Sequence, residues 1–262
     1  KEFSFGKERI CLKNSFCLRK DETLDLKGIY SIECRALKNC SAGNVANTED
    51  VKIFDRYAFS QTKLPRRKLP DEYGVRMIGT MLIDINNGCR KFVIPEDTTS
   101  IAGEMYIYST STIDVRCSNE VFFRYSNVLF WMHDYNIILN GRDHIDKSVF
   151  EKLHGSNIIF NTENYEYTVI DNIIYTKDMK TIVKCNRTGE DNKKVVIPDT
   201  VTEIGDYAFA NNGEITELEI PGSVKKIGTC AFSNCVNLRS VKIENGVKEL
   251  GNTCFVGLTA LE

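Results

Sequence analysis

Three histidines, His133, His144 and His154, stand 11 and 10 residues apart. Imidazoles at such intervals could hold zinc if a carboxylate or thiolate completed a tetrahedral set. No Cys-x-x-Cys and no further histidine supports that set, so solvated turn histidines are the plainer reading and no metal is expected. Ten cysteines raise Cys–His nucleophilic catalysis, which needs a thiolate beside a base in a pocket. With so many thiols, proximity along the chain carries no information. His133 and His144 form a polar patch with Asp134, Asp143 and Asp146 around Asn140-Gly141, where turn chemistry accounts for the composition. No Gly-x-Gly-x-x-Gly, phosphate loop or Gly-x-Ser-x-Gly occurs. The chain is therefore read as not an enzyme, with no cofactor. The alternative is a hydrolase using a Cys or the His133/Asp134 region.

Charge narrows the partners. The net charge is −2 with both signs interspersed, which supplies no global field for nucleic acid or an anionic membrane. The densest cationic run, Lys63-Leu64-Pro65-Arg66-Arg67-Lys68-Leu69-Pro70, could meet an acidic partner. Its two prolines also suit a solvated loop. Asn186-Arg187-Thr188 and Asn39-Cys40-Ser41 match a glycosylation acceptor pattern. No apolar run reaches the roughly 20 residues of a spanning helix. The most apolar stretch, Val121 to Leu139, is broken by Arg124, His133 and Asp134.

What must position these residues is a repeat. Ile197-Pro198 recurs as Ile220-Pro221, and Ile243-Glu244 follows at the same interval. Ile204-Gly205 recurs as Ile227-Gly228 and Leu250-Gly251; Ala208-Phe209 recurs as Ala231-Phe232 and Cys254-Phe255. The first two units share 8 of 23 positions. A fixed period of this size marks a solenoid, in which units too short to bury a core alone stack on their neighbours. Val241-Lys242-Ile243 alternates like a half-buried strand. Pro198 and Pro221 should end the strand pairing, since proline has no N–H. The spacing of Val224, Ile227, Ala231 and Phe232 suits a turn or short helical piece. Gly228 and its equivalents suit a tight bend or a close approach of coils.

Stacking predicts three internal columns: Val201/Val224/Val247, Ile204/Ile227/Leu250 and Phe209/Phe232/Phe255. It predicts outward rows as well. Glu217 and Glu219 stand beside Ser240 and Lys242 on the strands. Thr202/Lys225/Lys248 and Glu203/Lys226/Glu249 line the turns. These regular polar rows are candidate binding positions. Tyr106, Phe123 and Tyr125 are further candidates, drawn from an aromatic-rich middle that also holds Tyr108, Phe122, Phe130 and Trp131.

The string Ile-Pro-x-x-Val-x-x-Ile-Gly-x-x-Ala-Phe-x-x-Cys-x-x-Leu-x-x-Val-x-Ile resembles the BspA-like class of leucine-rich repeats. It matches best over 220–243 and closely over 197–220, and departs at Glu244 and Cys254. Weaker copies lie upstream. Ile94-Pro95, Ile101 and Met105-Tyr106 keep the offsets of Ile197-Pro198, Ile204 and Ala208-Phe209. Ile32 to Cys40 aligns without a gap to Ile227 to Cys235. Tyr57-Ala58-Phe59 and Ser148-Val149-Phe150 look like further versions. Three hairpins are expected, pairing Met81-Leu82-Ile83 with Phe92-Val93, Val128-Leu129-Phe130 with Ile137-Ile138, and Ile173-Ile174-Tyr175 with Ile182-Val183.

The expected architecture is a β-rich α/β solenoid: a leucine-rich repeat fold with inserted β-hairpins, forming one solenoid over 1–262. Degenerate repeats occupy 1–75, irregular repeats with hairpins 76–192, and regular repeats 193–262, where the pattern reaches Leu261-Glu262 as another strand would begin. The cysteines are read as mostly reduced, buried thiols, because Cys40, Cys230 and Cys235 fall on inward or inter-coil repeat positions. Cys11/Cys17 and then Cys34/Cys40 are the pairs to consider for a bridge. The resemblance implies a secreted or cell-surface module. Its expected partners are a protein or glycan ligand, without nucleic acid or a membrane span, and the chain is expected to be a monomer. The leading function is non-catalytic protein binding or adhesion; a structural spacer of a larger surface protein is the other reading.

Overall fold

A computed structural model describes residues 10–12, 18, 20, 22–59, 62–69, 73–85, 89–102, 111–124, 135–153, 155–161, 163–187, 189 and 193–262. They fall into two compact units, one drawn from 1–132 with 137–141, the other from 133–136 with 142–262.

The first unit carries strands β1 (Ile10–Leu12), β2 (Thr23–Asp25), β3 (Ile29–Ile32), β4 (Asn44–Ala46), β5 (Ile53–Phe54), β6 (Val75–Ile78), β7 (Met81–Ile85), β8 (Lys91–Ile94), β9 (Ser100–Ile101) and β10 (Thr112–Val115). Most pairs are parallel and about one coil apart in sequence. Thr23 faces Asn44, Ser31 faces Ile53 and Lys91 faces Thr112. The second unit holds β12 (Asn157–Phe160), β13 (Tyr167–Ile170), β14 (Ile173–Thr176), β15 (Thr181–Cys185), β16 (Lys193–Val196), β17 (Glu203–Ile204), β18 (Ile215–Ile220), β19 (Lys226–Ile227), β20 (Ser240–Ile243) and β21 (Glu249–Leu250); β11 (Asn136–Leu139) lies at the boundary between the two ranges. Two parallel ladders run through its regular part, β16-β18-β20 and β15-β17-β19-β21.

The second unit shows why 23 residues make a coil. Glu203 pairs with Lys226 and Lys226 with Glu249, so successive coils are in register. The three expected columns form. Val201, Val224, Ile204, Ile227, Phe209 and Phe232 are all fully buried. The Phe209 and Phe232 rings stack at 4.9 Å between centroids, and Phe232 and Phe255 at 5.4 Å. These distances approach the spacing of neighbouring strands, as expected of side chains repeated coil upon coil. Each column opens at the last coil: Ile227 is 0% exposed and Leu250 62%. Strand β18 stops at Ile220 and Pro221 follows, as proline's missing N–H requires.

Helix is sparse. Among the described residues the α-helices are α1 (Asn119–Arg124) and α2 (Ser148–Lys152), with 3-10 turns at Thr48–Asp50 and Arg56–Phe59. The segment after Ile-Gly in each regular coil is a turn, and its backbone explains why no helix continues there. Tyr207, Cys230 and Thr253 all take φ between 52° and 56°, a left-handed conformation incompatible with a right-handed helix. Alternate N–H groups then leave the coil. Tyr207 donates to Thr229 O, Phe209 to Ala231 O and Asn211 to Ser233 O, while Ala208 and Ala210 donate back within their own coil. Of the turn and the short helical piece expected here, the turn is what forms, and it makes a third ladder between coils. Gly228 lies where coils nearly touch: a Cβ there would sit 2.5 Å from Asp206 N and 2.6 Å from Gly205 C. Close approach, not a bend, is what demands glycine.

The degenerate N-terminal copy follows the same rules. Arg35 and Asn39 take φ of 60° and 63°, as Cys230 and Asn234 take 52° and 55°. Arg35 N donates to Tyr57 O as Cys230 N donates to Asn252 O, 22 residues on in both cases. Ala58 and Phe59 are buried like Ala208 and Phe209. The expected hairpins fare differently. Ile173–Thr176 and Thr181–Cys185 do pair antiparallel, and β13 adds a third antiparallel strand. Met81–Ile85 instead pairs antiparallel with Val75–Ile78, and Phe92-Val93 lies in β8, parallel to β10. Left-handed Gly79 (φ 54°) and Thr80 make a two-residue connection that closes this hairpin on the preceding side. Residues 128–130 lie outside the described residues.

Candidate functional site

The outward face of β16, β18 and β20 brings the strand candidates together. Alternation buries Val195 and Leu218 and leaves their neighbours in solvent. Register places Lys194, Glu217 and Ser240 in one row, and Val196, Glu219 and Lys242 in the next. The expected Glu219–Lys242 pairing exists as register, but the ion pair of Glu219 runs to the other side. Lys194 Nζ donates to Glu219 Oε1 at 3.0 Å, while Lys242 Nζ lies 3.6 Å from Glu244 Oε1. Lys194 holds the Glu219 carboxyl below its ordinary range, chiefly through that hydrogen bond, and is itself shifted upward by it. Lys194 and Val196, the latter 64% exposed, belong to this face although neither was singled out from the sequence. Carrying the 23-residue offset back one strand from Glu217 and Glu219 finds both.

The turn columns also form. Lys225 N donates to Thr202 O and Lys248 N to Lys225 O, which sets Thr202, Lys225 and Lys248 in line. In the neighbouring column Glu203 Oε1 lies 3.3 Å from Lys147 Nζ and 3.4 Å from Lys226 Nζ. Lys226 is shifted upward, mainly by the charge of Glu203. Of the aromatic candidates, only Phe123 is among the described residues. Phe123 is half-buried in α1 with its ring edge-to-face on Phe122 at 5.0 Å, and Tyr106 and Tyr125 lie outside the described residues.

His133, Asp134 and His154 also fall outside the described residues. His144 is exposed and its Nδ1 lies 2.8 Å from Glu166 Oε1, which shifts its pKa upward. Asp146 Oδ1 accepts from Ser148 N at the start of α2, in keeping with turn chemistry. Among the described residues no group of three or more His, Cys, Asp or Glu could hold a metal ion.

The described thiols include Cys34 and Cys40, neither in a disulfide, so the second bridge considered does not form. Cys40 is buried while Cys34 is exposed. The side chains of Cys11 and Cys17 are outside the description. Cys235, with Sγ 3.1 Å from Phe209 O, is pushed up to about 12 by burial, and Cys185 to about 11. Cys230 is half-exposed rather than inward, its Sγ 3.0 Å from Thr253 Oγ1 on the next coil. Brief iodoacetamide treatment of the native chain should therefore label Cys34 well before Cys185 and Cys235, because alkylation needs an accessible thiolate. Peptide mass spectrometry checks this order, and full labelling of Cys235 without denaturant contradicts it. Asn186 is no acceptor for a glycan. It is buried, with Oδ1 accepting from Ile158 N at 2.9 Å and Nδ2 donating to Ile158 O at 2.7 Å.

Coils of about 23 residues, parallel ladders and stacked core columns define a leucine-rich repeat β-solenoid. The family model for the BspA type leucine rich repeat region matches residues 12–131 and 158–262 in six copies, and the chain belongs to this family. No curated protein matches the chain. Two solved structures share the fold. A leucine rich cell surface protein of Faecalibacterium prausnitzii is 22% identical with a TM-score of 0.54, the match covering 92% of this chain and 65% of that one. The pneumococcal vaccine antigen PcpA is 15% identical with a TM-score of 0.50, covering 92% and 60%. The chain thus spans less than two thirds of either. Among the described residues no helix is long and apolar enough to cross a membrane.

Proposed function

We propose that the chain is a non-catalytic binding or adhesion module, secreted or displayed at a cell surface, that contacts its partner through the outward face of β16, β18 and β20. The observation carrying this reading is the pair of in-register rows, Lys194/Glu217/Ser240 and Val196/Glu219/Lys242. A rigid ladder holds these groups at fixed spacing, so little ordering entropy is lost when they meet a partner. The relatives named above, a cell surface protein and a vaccine antigen, support the location. Burial of Cys185 and Cys235, which raises both thiols, argues against those two as nucleophiles, because a nucleophilic cysteine needs its thiolate.

The test is adhesion to intact epithelial cells of beads carrying the whole chain. A variant with Lys194→Glu, Glu217→Lys, Glu219→Lys and Lys242→Glu keeps the core and reverses the face. At least tenfold weaker adhesion of the variant is the expected result. Equal adhesion moves the contact off this face, and no adhesion by the native chain removes the adhesion role.

A further inference from the structure

The cationic run at 63–68 belongs to the first unit and is not used by the face above. Its backbone is pinned at both ends: Lys63 N donates to Cys40 O at 2.9 Å and Arg67 N to Met77 O at 3.0 Å. Leu64 is buried and anchors the segment. Arg67 is neutralised by Asp97, with Nη1 2.6 Å from Oδ2. Lys63, Arg66 and Lys68 remain exposed, and among the described residues their side chains make no ion pair or hydrogen bond. The next carboxylates in sequence, Asp71 and Glu72, lie outside the described residues. The sequence alone suits a solvated loop here; the structure instead pins the backbone at Lys63 and Arg67 into a rail whose cations other than Arg67 are unpaired among the described residues.

We propose that this rail binds a linear anionic polysaccharide, one bearing sulfate or carboxylate groups along its length. Three features select that class. The net charge of the whole chain is −2, so attraction to any anion has to be local and confined to these cations. Pro65 lacks an N–H and Lys63 and Arg67 have used theirs within the unit, so an added strand would find few backbone donors and side-chain charge is what the rail chiefly offers. Leu64 points into the unit and Leu69 is half-buried, so the rail offers no exposed apolar anchor of the kind protein interfaces depend on. A chain of regularly spaced anions needs neither feature.

The probes are heparin, poly-L-glutamate and neutral dextran, measured against the whole immobilised chain at several salt concentrations. Heparin is expected to bind, dextran not, and poly-L-glutamate at least tenfold more weakly than heparin. The Lys63→Ala/Arg66→Ala/Lys68→Ala variant should lose at least tenfold in heparin affinity. Its slope of log affinity against log salt should fall by about 2–3, one released counterion for each lost cation. A control variant, Lys225→Ala/Lys242→Ala/Lys248→Ala, should bind within twofold of native. Circular dichroism and a urea midpoint matching native exclude misfolding of either variant. Unchanged heparin affinity in the first variant, a larger loss in the control, or equal binding of poly-L-glutamate would each overturn the proposal. None of these outcomes alters the cell-adhesion result for the β16-β18-β20 face.

Discussion

Replacing Phe232 with alanine should destabilise the chain by about 3–5 kcal/mol, the cost of truncating a fully enclosed phenylalanine. Its ring lies between two others, 4.9 Å from Phe209 and 5.4 Å from Phe255, and no part of it reaches solvent. The hole left behind is walled by neighbouring coils on both sides, and each is fixed by its own hydrogen bonds, so it cannot collapse. Phe255 supplies the internal comparison. It is only half-buried, so Phe255→Ala should cost clearly less, about half. Urea unfolding of the two variants measures the difference. Equal losses would mean that the ring column is not a shared core and that the coils stand independently. Because contacts in a solenoid run only between neighbours, Phe232→Ala should also broaden the transition as cooperativity between coils weakens.

The second large effect concerns Lys184. This lysine is 2% exposed, in β15 opposite Ile174, and burial pushes its ammonium down to about 7. Cys185 opposes the shift and Arg187 adds to it. The unfolded chain holds this proton up to about pH 10.5, the folded chain only up to about 7. Between those values the unfolded state binds more protons, so stability rises with pH across the window. Below pH 7 the full cost of burying the charge applies, on the order of 4–5 kcal/mol from 1.36 kcal/mol per pH unit. Above about pH 9 the gain is offset, because the buried thiols of Cys185 and Cys235 are pushed up to about 11 and about 12 and the unfolded chain ionises first. From about pH 10 the phenols of Tyr135, Tyr167 and Tyr175, pushed up to about 12, add to the loss. Lys184→Met keeps an unbranched stem without the charge. It should raise stability at pH 7 by several kcal/mol and flatten the rise between pH 7 and 9. Denaturant midpoints across that range decide it, and a variant with the native pH profile would place the charge of Lys184 in solvent.

The difference between legible and illegible features follows from what a repeat encodes. In 197–255 the period fixed side-chain facing, because a stacked coil puts residue i over residue i+23 whatever else happens. Hence the columns of Val201, Ile204 and Phe209 and the rows of Glu217 and Glu219 could be read directly. The degenerate copy at 32–40 was legible for the same reason: its left-handed positions, Arg35 and Asn39, sit where Cys230 and Asn234 sit. Strand partners without a period were harder. Met81–Ile85 had apolar runs on both sides, and only the two-residue connection at Gly79-Thr80 favoured one over the other.

The sequence by itself determined the coil length, the inward columns, the alternation on β18 and the glycine at Gly228, because each depends on local spacing and on one neighbour of the same kind. Only the tertiary structure decided that the segment after Ile-Gly is a ladder and not a helix, since its N–H groups find their acceptors one coil away. It alone drew the Glu219 ion pair to Lys194 and not Lys242, buried the amine of Lys184 and the amide of Asn186, and pinned the cationic rail. Each of those outcomes turns on groups far apart in the chain, whose distance and desolvation no spacing along the sequence encodes.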